Sequence, residues 1–243
     1  MNLLLLPERP AEGVLTLGGP QASHLLRVLK VTQGSTVRIG VENGPAGTGT
    51  VTAVAAGSVT LTCTFEPAAP PRPRIDLLLA VPRPKILKRL WAQLAALGVG
   101  RIILTNAARV ERPYFDTHVL DPAAYRPLLV EGLQQARDTH LPRVTVHRQF
   151  RKLVEDELDL LSDARVRLLA DPGTHPDLPG VVRPATGRVL LAVGPEGGWN
   201  DFERALLRDR GFTPVSMGPR TLRTDTACVA LLALLHHALG PGD

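Results

Sequence analysis

Val189-Leu-Leu-Ala-Val193-Gly-Pro-Glu-Gly-Gly198 and, after a short interval, Phe212-Thr-Pro-Val-Ser-Met217-Gly-Pro-Arg-Thr-Leu-Arg-Thr-Asp-Thr226 are the two stretches that decide the fold. The first opens with a short, partly β-branched apolar run bounded by Gly187 and Gly194, the pattern of a fully buried strand. Glycines around Pro195 then permit positive φ and let backbone N–H groups approach a ligand without hindrance from Cβ. A helix is expected next: Asn200 suits an N-cap, Glu203 stands where a capping-box partner belongs, and Phe202, Leu206 and Leu207 have helical spacing up to Gly211. The second run repeats the plan, with an apolar helix over 227–239 capped by Thr224 or Thr226 and closed by Gly240. Neither Gly-x-x-x-x-Gly-Lys-Ser/Thr nor Gly-x-Gly-x-x-Gly occurs in this region, which weighs against a P-loop nucleotidase and an ordinary dinucleotide fold.

Upstream, apolar runs alternate with helical patterns. Strands are expected over 75–81, 101–105, 144–147 and 165–170, and helices over 84–97, 121–139 and 150–161. In the first helix Ile86, Leu87, Leu90, Leu94 and Leu97 make one apolar face, with Trp91 near its boundary. Such repeated βα units predict an α/β fold with a mainly parallel sheet covered by helices on both faces, whose ligands bind beyond the carboxyl ends of the strands. The proline-rich connector Pro67-Ala-Ala-Pro-Pro-Arg-Pro-Arg74 divides this region from an N-terminal one with period-two patterning over 37–41, 48–54 and 59–65. That gives two domains, 1–70 and 71–243, the first a small β-barrel or sandwich preceded by a short helix from Ser23 to Lys30.

Composition narrows the function. At 243 residues, 44% hydrophobic and 21% charged, the chain reads as an ordinary globular protein. Cys63 and Cys228 are far apart and lack neighbouring ligands, so neither a disulfide framework nor a metal site is expected. No run has the length of a membrane span, and Leu3–Leu6 is too short for a signal sequence, so a cytoplasmic protein with no membrane partner is expected. The net charge of +5 arises in one segment: residues 71–112 carry nine basic side chains against Asp76 and Glu111. A block of that kind suits a phosphate backbone, although a solvated basic face accounts for it as well.

Gly194-Pro-Glu-Gly-Gly198 with Glu203, followed by Met217-Gly-Pro-Arg-Thr-Leu-Arg-Thr-Asp-Thr-Ala227, resembles the RsmE family of SPOUT-class RNA methyltransferases. Ser23-His24-Leu25-Leu26-Arg27-Val28-Leu29-Lys30 is similar to an element of that family's N-terminal, PUA-like barrel, with Lys30 where arginine is usual. Further departures are Ala96, Gln134 and Asp225, each at a position where the family has Glu, and they bear on catalytic detail.

The resemblance implies a trefoil-knotted C-terminal domain that transfers a methyl group from S-adenosyl-L-methionine to N3 of a uridine in 16S ribosomal RNA, without a metal and as a homodimer. It implies that the cofactor is held by Ala170, Gly194, Pro195, Glu196, Gly197, Gly198, Met217, Gly218, Leu222, Arg223 and Thr224. Arg223 and Asp225 are the implied catalytic pair, while Arg27, Lys30, Lys85, Lys88, Arg89 and Arg109 are expected to face the RNA or small ribosomal subunit. Two other readings stand beside it: a SPOUT enzyme acting on ribose 2′-hydroxyls, and an RNA-binding assembly factor without turnover.

Overall fold

The computed structural model describes residues 2–182 and 187–240. They form two compact units, one of residues 2–71 with Leu133–Leu141, the other of residues 72–132 and 142–240.

In the first unit β1 (Leu4–Leu6), β2 (Val14–Leu17), β3 (Thr36–Val41), β4 (Ala46–Ala55) and β5 (Ser58–Phe65) make one sheet in the order β1-β3-β4-β5-β2. Only the β1–β3 pairing is parallel. Alternation puts Val37, Ile39, Val51, Val59 and Leu61 inside, where they pack with Leu25 of α1 (Gly19–Arg27). The helix starts earlier than the sequence suggested: Gly18 is its N-cap and Pro20 presets the first turn, so Ser23 lies within it. Segment 133–141, which sequence reading placed downstream of the connector, belongs to this unit. Asn43 N donates to Thr139 O at 2.7 Å, Thr139 Oγ1 donates to Gly44 O at 2.7 Å, and Leu141 N donates to Asn43 Oδ1 at 3.1 Å.

The second unit is a six-stranded, wholly parallel sheet of β6 (Ile75–Ala80), β7 (Val99–Thr105), β8 (Arg143–His147), β9 (Val166–Ala170), β10 (Val189–Val193) and β11 (Phe212–Val215). Its order is β11-β9-β10-β6-β7-β8. Every residue of the central strands β6 and β10 is buried, as continuous apolar runs covered on both faces require. The connecting helices are α2 (Pro84–Ala96), α3 (Pro122–Ala136), α4 (Phe150–Lys152), α5 (Leu158–Leu161), α6 (Leu178–Val182), α7 (Asp201–Asp209) and α8 (Thr224–Leu239), with a π turn, Leu153–Glu157, between α4 and α5.

Local chemistry sets the helix ends. Pro84 supplies the preset φ at the start of α2, and Gly98 adopts φ +66° just beyond its end. Trp91 is fully buried rather than at the edge of the apolar face, its Nε1 donating to Val119 O at 3.2 Å. At α7 the capping box is complete: Asn200 Oδ1 accepts from Glu203 N at 2.8 Å and Glu203 Oε2 from Asn200 N at 2.9 Å. Phe202, one of the apolar residues at helical spacing, is 55% exposed. The last helix begins at Thr224 with Arg223 as N-cap and no side-chain cap, so neither threonine caps it.

Candidate active site

The carboxyl ends of β9, β10 and β11 open into a cavity of about 280 Å³. The two glycine-containing loops line it together, so Ala170, Gly194, Pro195, Glu196, Gly197, Gly198, Met217, Gly218, Leu222 and Thr224 all face one space. Arg223 is outside that lining, with a side chain 71% exposed. Other lining residues, Asp171 and Trp199 among them, were absent from the sequence-based set. Asp171 follows the last residue of β9, and its Oδ2 lies 3.1 Å from His175 Nε2. No motif marked it, because its place depends on which strand neighbours β10.

The first loop is held by a network whose members lie far apart in sequence. Gly198 N donates to Pro195 O at 2.8 Å, closing the turn with Gly198 at φ +72°. Glu196 Oε1 accepts from Arg83 N at 3.1 Å, which ties the loop to the start of α2. Glu203, only 3% exposed, uses its second oxygen to accept from Ala108 N at 2.6 Å. The neighbouring Arg109 donates through Nη1 to Gly197 O. A Cβ on Gly197 would stand 2.9 Å from Arg109 Cδ, so glycine is needed there for close approach rather than for a positive φ. Arg109, expected among the RNA-facing residues, thus has its guanidinium on the glycine loop.

At the start of α8, Asp225 takes an ion pair from Arg89 Nη2 at 2.8 Å, and Arg223 Nε lies 3.8 Å from its other oxygen. Oδ1 also accepts from Thr226 N at 3.0 Å. Carboxylate and guanidinium are therefore brought together at the mouth of the second loop, with Asp225 mostly buried. Cys228, one turn on, is fully enclosed, and burial with the nearby Asp225 charge pushes its thiol up to about 12. It remains a neutral thiol and supplies no nucleophile at ordinary pH. Among the described residues no group of three or more His, Cys, Asp or Glu side chains is placed to hold a metal ion, and no helix is long and apolar enough to cross a membrane.

The basic segment is divided by these contacts. Lys85, Lys88 and Arg89 are all exposed on α2, but Arg89 is committed to Asp225 while neither lysine has an ion pair among the described residues. Arg27 and Lys30 are exposed in the first unit. If α2 contacts RNA phosphates, Lys85→Gln with Lys88→Gln should lower the slope of log affinity against log salt by about 1.5–2, and Arg89→Gln alone by less than about 0.7. Titrations of RNA between low and moderate salt measure both; equal slopes for the double variant and the wild type would remove α2 from the interface.

An all-parallel sheet whose carboxyl-edge loops close over one cavity defines an α/β protein that binds a small ligand at its strand ends. Comparison with known proteins specifies the class. Residues 70–236 match the RNA methyltransferase domain family. The chain is 32% identical over 247 residues, 97% of its own length and 90% of the relative's, to ribosomal RNA small subunit methyltransferase E of Treponema pallidum. It is 29% identical to the protein of that name from Synechocystis, covering 98% of this chain and 78% of that one. In fold it is similar to a ribosomal RNA small subunit methyltransferase E from Neisseria gonorrhoeae solved bound to S-adenosyl methionine, with a TM-score of 0.77, 22% identity and coverage of 98% and 97%. The chain belongs to the RNA methyltransferase family, in its ribosomal RNA small subunit methyltransferase E branch.

Proposed function

We propose that this chain methylates N3 of a specific uridine in the 16S RNA of the small ribosomal subunit, using S-adenosyl-L-methionine. The observation that carries the reading is the single cavity built from both glycine-containing loops, in a chain 32% identical over almost its whole length to a ribosomal RNA small subunit methyltransferase. The lining suits the cofactor. The backbone of the first loop is bare of side chains at Gly194, Gly197 and Gly198, and a Cβ on Gly194 would meet the Trp199 ring at 3.1 Å. Leu222, Val193 and Leu231 add apolar walls.

When bound, S-adenosyl-L-methionine supplies an electrophilic methyl group on a positively charged sulfur. Around it the chain's own task is placement, since in-line displacement depends on alignment of the two reactants. Gly194 to Gly198 and Met217 to Leu222 hold the cofactor chiefly through backbone groups. Arg223 reaches towards a uracil carbonyl or a flanking phosphate, and Asp225, fixed by Arg89, either orients Arg223 or accepts the proton that leaves N3. A target base within a helix has to be extruded first, at a cost of a few kcal/mol that an unpaired base avoids.

The same reading includes a PUA-like barrel for the first unit, a knotted methyltransferase domain for the second, a homodimer and a cytoplasmic location. Support for the knot comes from the strand order, in which β11 returns to pair with β9 although β10 precedes it in the chain. Incubating small subunits from cells lacking the protein with labelled S-adenosyl-L-methionine, then digesting to nucleosides, tests the chemistry. Label on the base of one uridine is the expected result. Label on ribose would replace base by 2′-hydroxyl methylation, and tight cofactor binding without any transfer would leave an assembly factor.

A further inference from the structure

We propose that the amino end of the parallel sheet is an RNA-backbone site, where Arg72, Arg101 and Arg143 take phosphates at the end of the strands opposite the cavity. The inference rests on the RNA methyltransferase reading above and adds three residues to those that sequence reading turned towards RNA. All three belong to the second unit. The 6 residues of β6, at about 3.3 Å each, put this end of the sheet roughly 20 Å from the carboxyl edge, so the phosphates belong to RNA beyond the reacting nucleotide.

Register sets the arginines side by side. Asp76, Arg101 and Arg143 are paired across β6, β7 and β8, and in-register residues of neighbouring strands point to the same face. As β8 is an edge strand, Arg143 is exposed; Arg72 is exposed as well, and Arg101 is half-buried. The connector brings Arg72 to the same place: Pro73 O and Arg188 Nη2 each lie 3.0 Å from where a Cβ on Gly100 would stand. The Arg72 guanidinium is held below the usual arginine range by desolvation and by the charges of Arg188, Arg101 and Arg143, and Asp76 is the carboxylate that opposes them. That carboxylate is already committed. Ser162 Oγ donates to its Oδ2 at 2.8 Å, and Arg188 Nη2 donates to its Oδ1. Among the described residues the side chains of Arg72, Arg101 and Arg143 make no hydrogen bond or ion pair, and Arg101 Nε is buried without an acceptor. Guanidiniums gathered without an anion repel one another, and their planar forks match phosphate oxygens. The cofactor, taken up at the carboxyl ends of the strands, is out of reach. A phosphodiester of the RNA substrate supplies the missing anion.

Contacts to phosphate are read from the salt dependence of binding to a short labelled oligouridylate, because they do not depend on sequence. Arg72→Gln with Arg101→Gln and Arg143→Gln should lower the slope of log affinity against log salt by about 2, at about 0.7 for each phosphate contact of a single strand. The corresponding triple lysine variant should keep most of the slope, and S-adenosylhomocysteine should bind both variants within about twofold of the wild type. If the triple glutamine variant does not fold, Arg143→Gln on the exposed edge strand should by itself lower the slope by about 0.7. A wild-type slope in the folded glutamine variant overturns the inference and leaves a solvated basic sheet end. A wild type whose affinity does not depend on salt overturns it too, while the labelling of small subunits described above decides the methyltransferase reading separately.

Discussion

Replacing Asp76 with alanine is expected to lower the unfolding free energy by about 3–5 kcal/mol, the largest loss among single substitutions considered for this chain. Asp76 stands near the amino end of β6, fully buried, and both its oxygens are used. Ser162 Oγ donates to Oδ2 at 2.8 Å, and Arg188 Nη2 donates to Oδ1. Arg188 also donates through Nη1 to Pro73 O at 2.8 Å, so one guanidinium joins the starts of β6 and β10 to the end of the connector. Removing the carboxylate leaves a largely buried cation whose remaining carboxylate neighbour, Asp163, is 78% exposed and correspondingly screened. Asp76→Asn should retain the bond from Ser162 and lose less. Urea unfolding followed by circular dichroism measures the difference; a loss below about 1 kcal/mol for the alanine variant would mean that the pair is not a structural tie.

The second large effect concerns the cavity. Glu203→Ala is expected to cost about 2–4 kcal/mol and to weaken S-adenosylhomocysteine binding by tenfold or more. The substitution takes an acceptor from Asn200 N, one half of the capping box, and another from Ala108 N. Loss of the second releases the segment that carries Arg109, and with it the bond to Gly197 O that fixes the first loop. Glu203→Gln, which keeps one oxygen, should recover part of the stability and part of the affinity. Calorimetric titration beside thermal unfolding separates the two readouts. If Glu203→Ala lost stability yet bound the probe as well as the wild type, the carboxylate would be a helix cap alone, with no part in placing the loop.

How much of this was legible beforehand differs from element to element. Strand β10 was read with its observed limits, because a fully buried strand between glycines has a composition that few other elements share. The Asn200–Glu203 capping box was likewise visible, since both of its bonds are made within four residues. The second role of Glu203 was not. Its partner lies 95 residues away, and a side chain can reach that partner only because the sheet order places β7 and β10 on either side of β6. The exposure of Phe202 escaped for a related reason: helical spacing defines a stripe, but which side of the stripe is covered depends on the neighbours. Segment 133–141 was read as the tail of a helix in the second domain, and its hydrogen bonds to Asn43 and Gly44 left no periodic trace.

The basic segment illustrates the same limit. Its charge excess is a property of composition, visible at once, yet the duties of its members diverge. Arg89 neutralises Asp225, Arg109 supports the glycine loop, and Lys85 and Lys88 are left facing solvent without an ion pair among the described residues. Charge counts add, whereas contacts depend on where each Cα is carried.

By itself, then, the amino-acid order determined the α/β alternation, the proline-rich connector, both glycine-containing loops and the family they point to, because those features arise from periods and turns a few residues long. The tertiary structure alone decided that Asp171 joins the lining of the cavity the two loops share, and that Glu203 and Arg109 brace its wall. Those outcomes follow from strand order, which is set by burying apolar faces collectively over the whole sheet and which no local pattern encodes.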